Sequence, residues 1–203
     1  SGVVAAPITV GDGPYGLAFD GSHIWVANVN DDTVSKIDAV SGVVAAPIGV
    51  GDFPYGVAFD GTHMWVTNFG DDTVSKIDAV SGVVAAPIIV GAGPFGVAFD
   101  GSHIWVANVN DDTVSKVDAV SGVVTAPIAV GNGPYGVAFD VSHMWITHFR
   151  GDTLLKFYAF SGASASPITL GICPLCLPFD SCLLLLSLPS FDNASILHSA
   201  FAF

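Results

Sequence analysis

The sequence repeats itself every 40 residues. Ser-Gly-Val-Val stands at Ser1, Ser41, Ser81 and Ser121, and a Pro-aromatic-Gly triplet at Pro14, Pro54, Pro94 and Pro134, with no insertion between copies. A fixed period of this length marks a supersecondary unit that cannot bury its own apolar surface and must stack on copies of itself. A fifth, eroded copy begins at Ser161-Gly162 and can be followed through Pro174 and Phe179-Asp180. Copies one and three are nearly identical, whereas copies two and four share Met64/Met144, Thr67/Thr147 and Phe69/Phe149, the pattern left by duplicating a two-unit block.

Each unit reads as four strands separated by turn signals. In the first, strand A covers Tyr15 to Phe19 and ends at Asp20-Gly21, a dipeptide suited to the positive φ of a tight hairpin turn. Strand B, His23 to Asn28, is β-prone through Ile24, Trp25 and Val26. Asn30-Asp31-Asp32 forms the next turn, strand C runs from Thr33 to Asp38, and Ser41-Gly42 leads to strand D, Val43 to Val50. Strand D contains Pro47, which cannot donate to a ladder, so it belongs at the outer edge of its sheet. All 18 acidic residues are Asp, a residue of turns rather than helices, and no segment shows a helical apolar period.

Strands A and B are apolar on both faces, and radial stacking of four-stranded sheets supplies the second cover. The expected fold is therefore an all-β propeller forming a single domain. Its blades cover residues 13–52, 53–92, 93–132 and 133–172, and a fifth closing blade combines 173–203 with 1–12. The phase of the chain, which opens on a lone strand D and ends on an eroded A, B and C, is what predicts that shared blade.

The run Gly-Asp-Phe-Pro-Tyr-Gly-Val-Ala-Phe-Asp-Gly from Gly51, then His-Met-Trp-Val-Thr-Asn and Asp-Thr-Val-Ser-Lys-Ile-Asp, resembles the YVTN-type β-propeller repeat, Phe53 being the one altered position. The resemblance covers the four good units, about four-fifths of the chain. It implies a bacterial or archaeal protein with an extracellular or cell-surface location, in a family where many members have no assigned activity. The units are also similar to those of virginiamycin B lyase-like propellers, which implies a lyase or hydrolase acting at the channel mouth as the alternative to a binding module. That family's catalytic set includes a glutamate, and this chain has none, so the set does not carry over intact.

Three repeated features and one departure from the repeat invite functional readings, the repeated ones beside structural roles in wiring, core packing, and turn chemistry and solubility. His23, His63, His103 and His143 open strand B in four units; a histidine in every unit is expected to serve the unit's own wiring, through a hydrogen bond to Asp20 or its equivalents. Trp25, Trp65, Trp105 and Trp145 are expected in the core between blades. Asp31-Asp32, Asp71-Asp72 and Asp111-Asp112 place carboxylates on the B-to-C loop, which shares a face with the D-to-A loop carrying Asp12 and Asp52. These loops lack the spacing of a calcium loop. The fourth feature is departure from the repeat: His148 stands where other copies have Asn, and Phe53, Phe69, Phe149 and Arg150 vary on the same face. The candidate binding set is thus Asp12, Asp31, Asp32, Phe53, Phe69, Asp71, Asp72, Asp111, Asp112, His148, Phe149 and Arg150. No catalytic residue is singled out and no cofactor is expected, a divalent cation being the one ion the carboxylates would suit.

A formal net charge of −13, with only four Lys and one Arg, argues against nucleic acid and anionic membrane, and favours a protein, peptide or small cationic ligand as partner. Cys173, Cys176 and Cys182 include one Cys-x-x-Cys, without the second pair or histidines of a zinc site. The apolar run from Cys182 to Leu188 is far short of the roughly 20 residues of a membrane helix, so no membrane insertion is expected. No leader is visible, since the sequence opens in mid-repeat.

Overall fold

The structure, a computed structural model, describes residues 6–159 and 168–169. The described residues are all β and turn, with no helix. The strands are β1 Pro14–Phe19, β2 His23–Asn28, β3 Thr33–Asp38, β4 Ile48–Gly49, β5 Pro54–Phe59, β6 His63–Asn68, β7 Thr73–Asp78, β8 Ile88–Ile89, β9 Pro94–Phe99, β10 His103–Asn108, β11 Thr113–Asp118, β12 Ile128–Ala129, β13 Pro134–Phe139, β14 His143–His148, β15 Thr153–Tyr158 and β16 Ile168–Thr169. They form four antiparallel sheets, each of four consecutive strands in sequence order. The first strands of the sheets, β1, β5, β9 and β13, lie side by side, so they line the axis while the fourth strands form the rim. Of the expected closing blade, 173–203 and 1–5 lie outside the described residues.

The interfaces between blades are the core. One face of the first blade offers Ala18, Trp25 and Val34, and the second blade answers with Val57, Met64, Val66 and Ile77. The same pairing recurs with Ala58, Trp65 and Val74 against Val97, Ile104, Val106 and Val117, and with Trp105 and Val114 against Met144, Ile146 and Phe157. The expected core role is met by Trp25, Trp65 and Trp105, which are fully buried and each worth about 3–5 kcal/mol against truncation to Ala, whereas Trp145 on the fourth blade is half-buried.

The glycine of the Pro-aromatic-Gly triplet exists for this stacking. It sits in a bulge of the inner strand, between the pairs Pro14↔Asn28 and Leu17↔Val26 in the first blade. A Cβ on Gly16 would overlap the Tyr55 carbonyl of the next blade, as would one on Gly56 with Phe95 and one on Gly96 with Tyr135. Inner strands thus pack backbone on backbone, which only glycine permits.

Strand D is shorter than expected. It pairs with strand C only at Ile48 and Gly49, with a separate bridge from Val44 to Ile37, and the same break recurs in the second and third blades. Pro47 lies in the gap, where it has no N–H to give, so the proline that fixes this strand at the edge also interrupts it.

The A-to-B turn is closed by Asp20 N–H donating to the His23 carbonyl, with Gly21 at φ +98°; Gly61 and Gly101 match it. The fourth blade has Val141 instead, at φ +79° and 81% exposed. A β-branched residue in the left-handed region is strained by about 1–2 kcal/mol, partly offset because glycine costs more chain entropy on folding. Val141→Gly is therefore expected to stabilise the protein by about 1 kcal/mol. Denaturant unfolding checks this, and a lowered midpoint would contradict the strain.

Candidate functional site

Two layers of side chains meet at the axis and its mouth. Deepest are the aromatic residues of the four triplets. Tyr55 stacks on Phe95 with centroids 4.6 Å apart, Phe95 on Tyr135 at 3.9 Å, and Tyr15 meets Tyr55 edge-on at 5.0 Å. The Tyr15 and Tyr135 hydroxyls face each other across the axis at 3.1 Å. Burial, together with that contact, pushes the Tyr135 hydroxyl well above a normal phenol. Above this plug the chain leaves strand B: Phe69 sits edge-on to Tyr55 at 5.7 Å, and Phe149 lies 6.0 Å from Tyr135. Phe53 reaches the same surface, close against Gly70, and is 49% exposed; Phe149 is 39% exposed. The triplet spacing was visible in the sequence. Nothing in one copy shows that four rings converge on an axis.

The acidic pairs turn out to be fasteners. The first Asp of each pair accepts a backbone N–H of its own blade's D-to-A loop, Asp31 from Asp12 at 2.7 Å, Asp71 from Asp52 at 2.9 Å and Asp111 from Ala92 at 2.6 Å. The second Asp accepts from the following blade, Asp32 from Phe53 at 2.9 Å, and Asp72 and Asp112 from Gly93 and Gly133, each at 2.8 Å. To reach across, Asp32, Asp72 and Asp112 take φ between +53° and +56°, a conformation Asp tolerates better than most residues. Each carboxylate retains an oxygen outside these bonds, and these residues are exposed or half-buried, so the mouth is ringed by negative charge.

His148 and Arg150 lie in the fourth blade's version of this loop. In the first three blades Asn28, Asn68 and Asn108 are buried and donate to Thr33, Thr73 or Thr113 and to Ser35, Ser75 or Ser115. His148 keeps only Thr153, at 3.1 Å from Nδ1; Leu155 replaces the serine and Gly151 the first Asp. Its Nε2 is buried without a hydrogen-bond partner among the described residues, beneath Gly131, where an added Cβ would come within 2.9 Å. The imidazole is thus enclosed rather than presented at the mouth. Arg150 packs its stem against Gly133.

The repeated histidines lie at the opposite end of the blades. Asp20 Oδ1 accepts the N–H groups of Ser22 and His23 and the Ser22 hydroxyl, while Oδ2 takes the Trp25 indole N–H at 2.8 Å. His23 Nδ1 is 2.8 Å from the Ser22 hydroxyl oxygen. Burial opposes ionisation of Asp20, but the donors outweigh it and hold the carboxyl at about 2; Asp60, Asp100 and Asp140 are lowered for the same reasons. The expected wiring role is met in all four blades. The lysines were not foreseen as ties: Lys36 donates to the Ala79 carbonyl of the next blade at 2.6 Å while lying over the Trp25 ring, and Lys76 and Lys116 repeat the arrangement. Among the described residues no three His, Cys, Asp or Glu side chains gather in a metal-binding group.

Four-stranded antiparallel units stacked around an axis by their first strands make this a β-propeller-type fold. Solved structures agree. The chain is similar to hydrazine synthase of Kuenenia stuttgartiensis, with a TM-score of 0.71, 22% identity, and coverage of 82% of this chain and 52% of that one. For a streptogramin B lyase the values are 0.67, 19%, 79% and 56%, and for the computationally designed Ika4 protein 0.67, 14%, 76% and 99%. The chain thus spans about half the length of the two natural proteins. No family model and no curated relative matches the sequence.

Burial lowers the pKa of His148, with Thr153 and the Asp112 charge working partly against it. The unfolded chain then takes up the proton first. Stability from this site is intact above about pH 6.5, the ordinary imidazole value, and is lost as pH falls from there toward the folded value. His148→Asn, which restores the other blades' residue, is expected to flatten stability between pH 7 and 5. Urea unfolding across that range checks it; an unchanged slope would show that His148 does not titrate on unfolding.

Proposed function

We propose that the protein is a non-enzymatic propeller module that binds basic peptides or small cationic ligands on its loop-bearing mouth. The observation carrying this reading is Phe53. Its three counterparts are Gly13, Gly93 and Gly133, each at φ +64°, and Phe53 holds φ +52° with half its surface exposed. A bulky residue kept in a strained conformation, where glycine serves the fold in every other described blade, points to a use outside the fold. The same loop-bearing end of the blades carries Phe69 and Phe149 and the carboxylates of Asp12, Asp31, Asp71 and Asp111. Aromatic faces and carboxylates together suit a cation, through cation–π contact and charge attraction. The repeat signature supports a place among YVTN-type propellers, and with it an extracellular or cell-surface setting. A lyase of the streptogramin B type would need a base within reach of substrate at the mouth; the buried state of His148 favours the binding reading over that one.

The reading predicts a trade-off. Phe53→Gly is expected to stabilise the fold by about 1 kcal/mol while weakening binding of a Lys/Arg peptide, because strain at this site is retained for contact rather than packing. Attraction to the wild type is expected to fall as salt rises, since exposed charges are screened within about 10 Å at 0.1 M ionic strength. Calorimetric titration with the peptide, a tetraalkylammonium ion and divalent cations, at low and high salt, tests this. Absence of salt-sensitive binding to all three would reduce the acidic face to a solubility device.

A further inference from the structure

The fourth blade carries a chemically reactive dipeptide at the point where its loop is least fastened. Asn132-Gly133 joins β12 to β13, and Asn132 is exposed. In the first three blades the residue equivalent to Asn132 is tied by its own blade's Asp31, Asp71 or Asp111. The fourth blade has Gly151 there, so the carboxylate that makes this tie in the other blades is missing, Asp152 being the counterpart of Asp32. The Gly133 carbonyl still accepts from the Phe149 N–H at 2.8 Å, but the tie on the Gly133 nitrogen comes from Asp112 of the preceding blade, whose Oδ1 accepts its N–H at 2.8 Å.

An asparagine followed by glycine can deamidate without a catalyst. The Gly133 nitrogen, unhindered by a side chain on its own residue, attacks the Asn132 side-chain carbonyl carbon. A C–N bond forms, giving a five-membered succinimide, and the amide nitrogen leaves as ammonia carrying the proton lost from Gly133. Water then opens the ring at either carbonyl, leaving aspartate or isoaspartate. The attack needs the Gly133 nitrogen deprotonated. A carboxylate bonded to that N–H opposes this twice, by the hydrogen bond that would be lost and by the negative charge beside the developing anion.

We propose that Asn132-Gly133 is a deamidation site whose rate is set by the Asp112 latch. The aspartate product puts on the fourth blade the carboxylate that Asp12 and Asp52 provide on the first two. The isoaspartate product adds a methylene to the backbone just before Pro134 and Tyr135, and so acts on the aromatic plug. The inference is independent of the ligand assigned to the mouth.

The sequence makes the test clean. Trypsin cutting after Lys116 and Arg150 releases Val117 to Arg150, in which Asn132 is the only side-chain amide. The folded full chain is held at mildly alkaline pH, and conversion of that peptide is followed by mass spectrometry and isoaspartyl methyltransferase labelling. Loss of a hydrogen bond to a charged group should speed conversion by about ten- to a hundredfold in Asp112→Ala. Asp112→Asn, which keeps an uncharged acceptor, should fall between the two and serves if the alanine variant does not fold. Asp72→Ala breaks the equivalent latch one blade earlier and should leave the rate at the wild-type value. The proposal is overturned if folded wild type converts as fast as urea-unfolded chain, if neither folded Asp112 variant is faster, or if Asp72→Ala accelerates conversion equally.

Discussion

The bond from the Trp25 indole to the Asp20 carboxylate is the contact on which each blade depends. A carboxylate in this position is costly to desolvate, and Asp20 is acceptable only because the Ser22 and His23 amides, the Ser22 hydroxyl and the indole all donate to it. That one group therefore closes the A-to-B turn, fixes the start of strand B and sets the direction of the largest apolar side chain in the blade. With the indole N–H satisfied at the turn, the rest of the ring lies between sheets at no polar cost. The identity of Asp20, Ser22 and Trp25 thus decides both the local turn and the face that stacks on the next blade.

Neighbouring blades are then joined at three levels. Near the A-to-B turns, Lys36 spans from the Trp25 face to the Ala79 carbonyl; along the axis, Gly16 admits the Tyr55 carbonyl; at the mouth, Asp32 takes the Phe53 amide. Apolar burial between sheets is non-directional and would tolerate sliding, whereas these three contacts each name a partner in the next blade, 21 to 43 residues on in the sequence, and so fix the register of one blade against the next. The exposed first and last faces show what the stacking does. Leu17 is 42% exposed on the first blade, while its counterparts Val57 and Val97, covered by a preceding blade, are below 10%.

Strand order, the core tryptophans and the Asp-Gly turns were legible because each follows from a local rule: alternation, apolar content or a φ requirement. The break in strand D was half legible: Pro47 announced an edge, but not that its missing N–H would also open a gap between the Val44 bridge and the Ile48 pairing. The fastening role of the Asp pairs was not legible, because the groups that bond the second Asp of each pair, Phe53, Gly93 and Gly133, are 21 residues away and lie across a blade boundary. The aromatic plug could not be read from any single copy, since convergence on an axis is a property of the array. His148 was rightly singled out as departing from the repeat, but its burial follows from Gly131 lying over it, which no spacing rule encodes.

Divergence among the copies falls in two physically different classes. In the fourth blade, His148 and Leu155 replace the Asn and Ser of a buried polar group and Gly151 replaces an exposed Asp that ties the D-to-A loop, which leaves His148 with the bond to Thr153. Such changes take something from the fold and add no surface at the mouth. Phe53 is the opposite case. The Asp32 latch to its amide is intact, the inner strand that follows it has the same bulge as its counterparts, and the change adds an exposed ring against Gly70 while storing backbone strain. A scaffold whose blades are held by redundant ties can carry that strain without loss of register, and this freedom lets a near-perfect repeat differ at its mouth while its core stays the same.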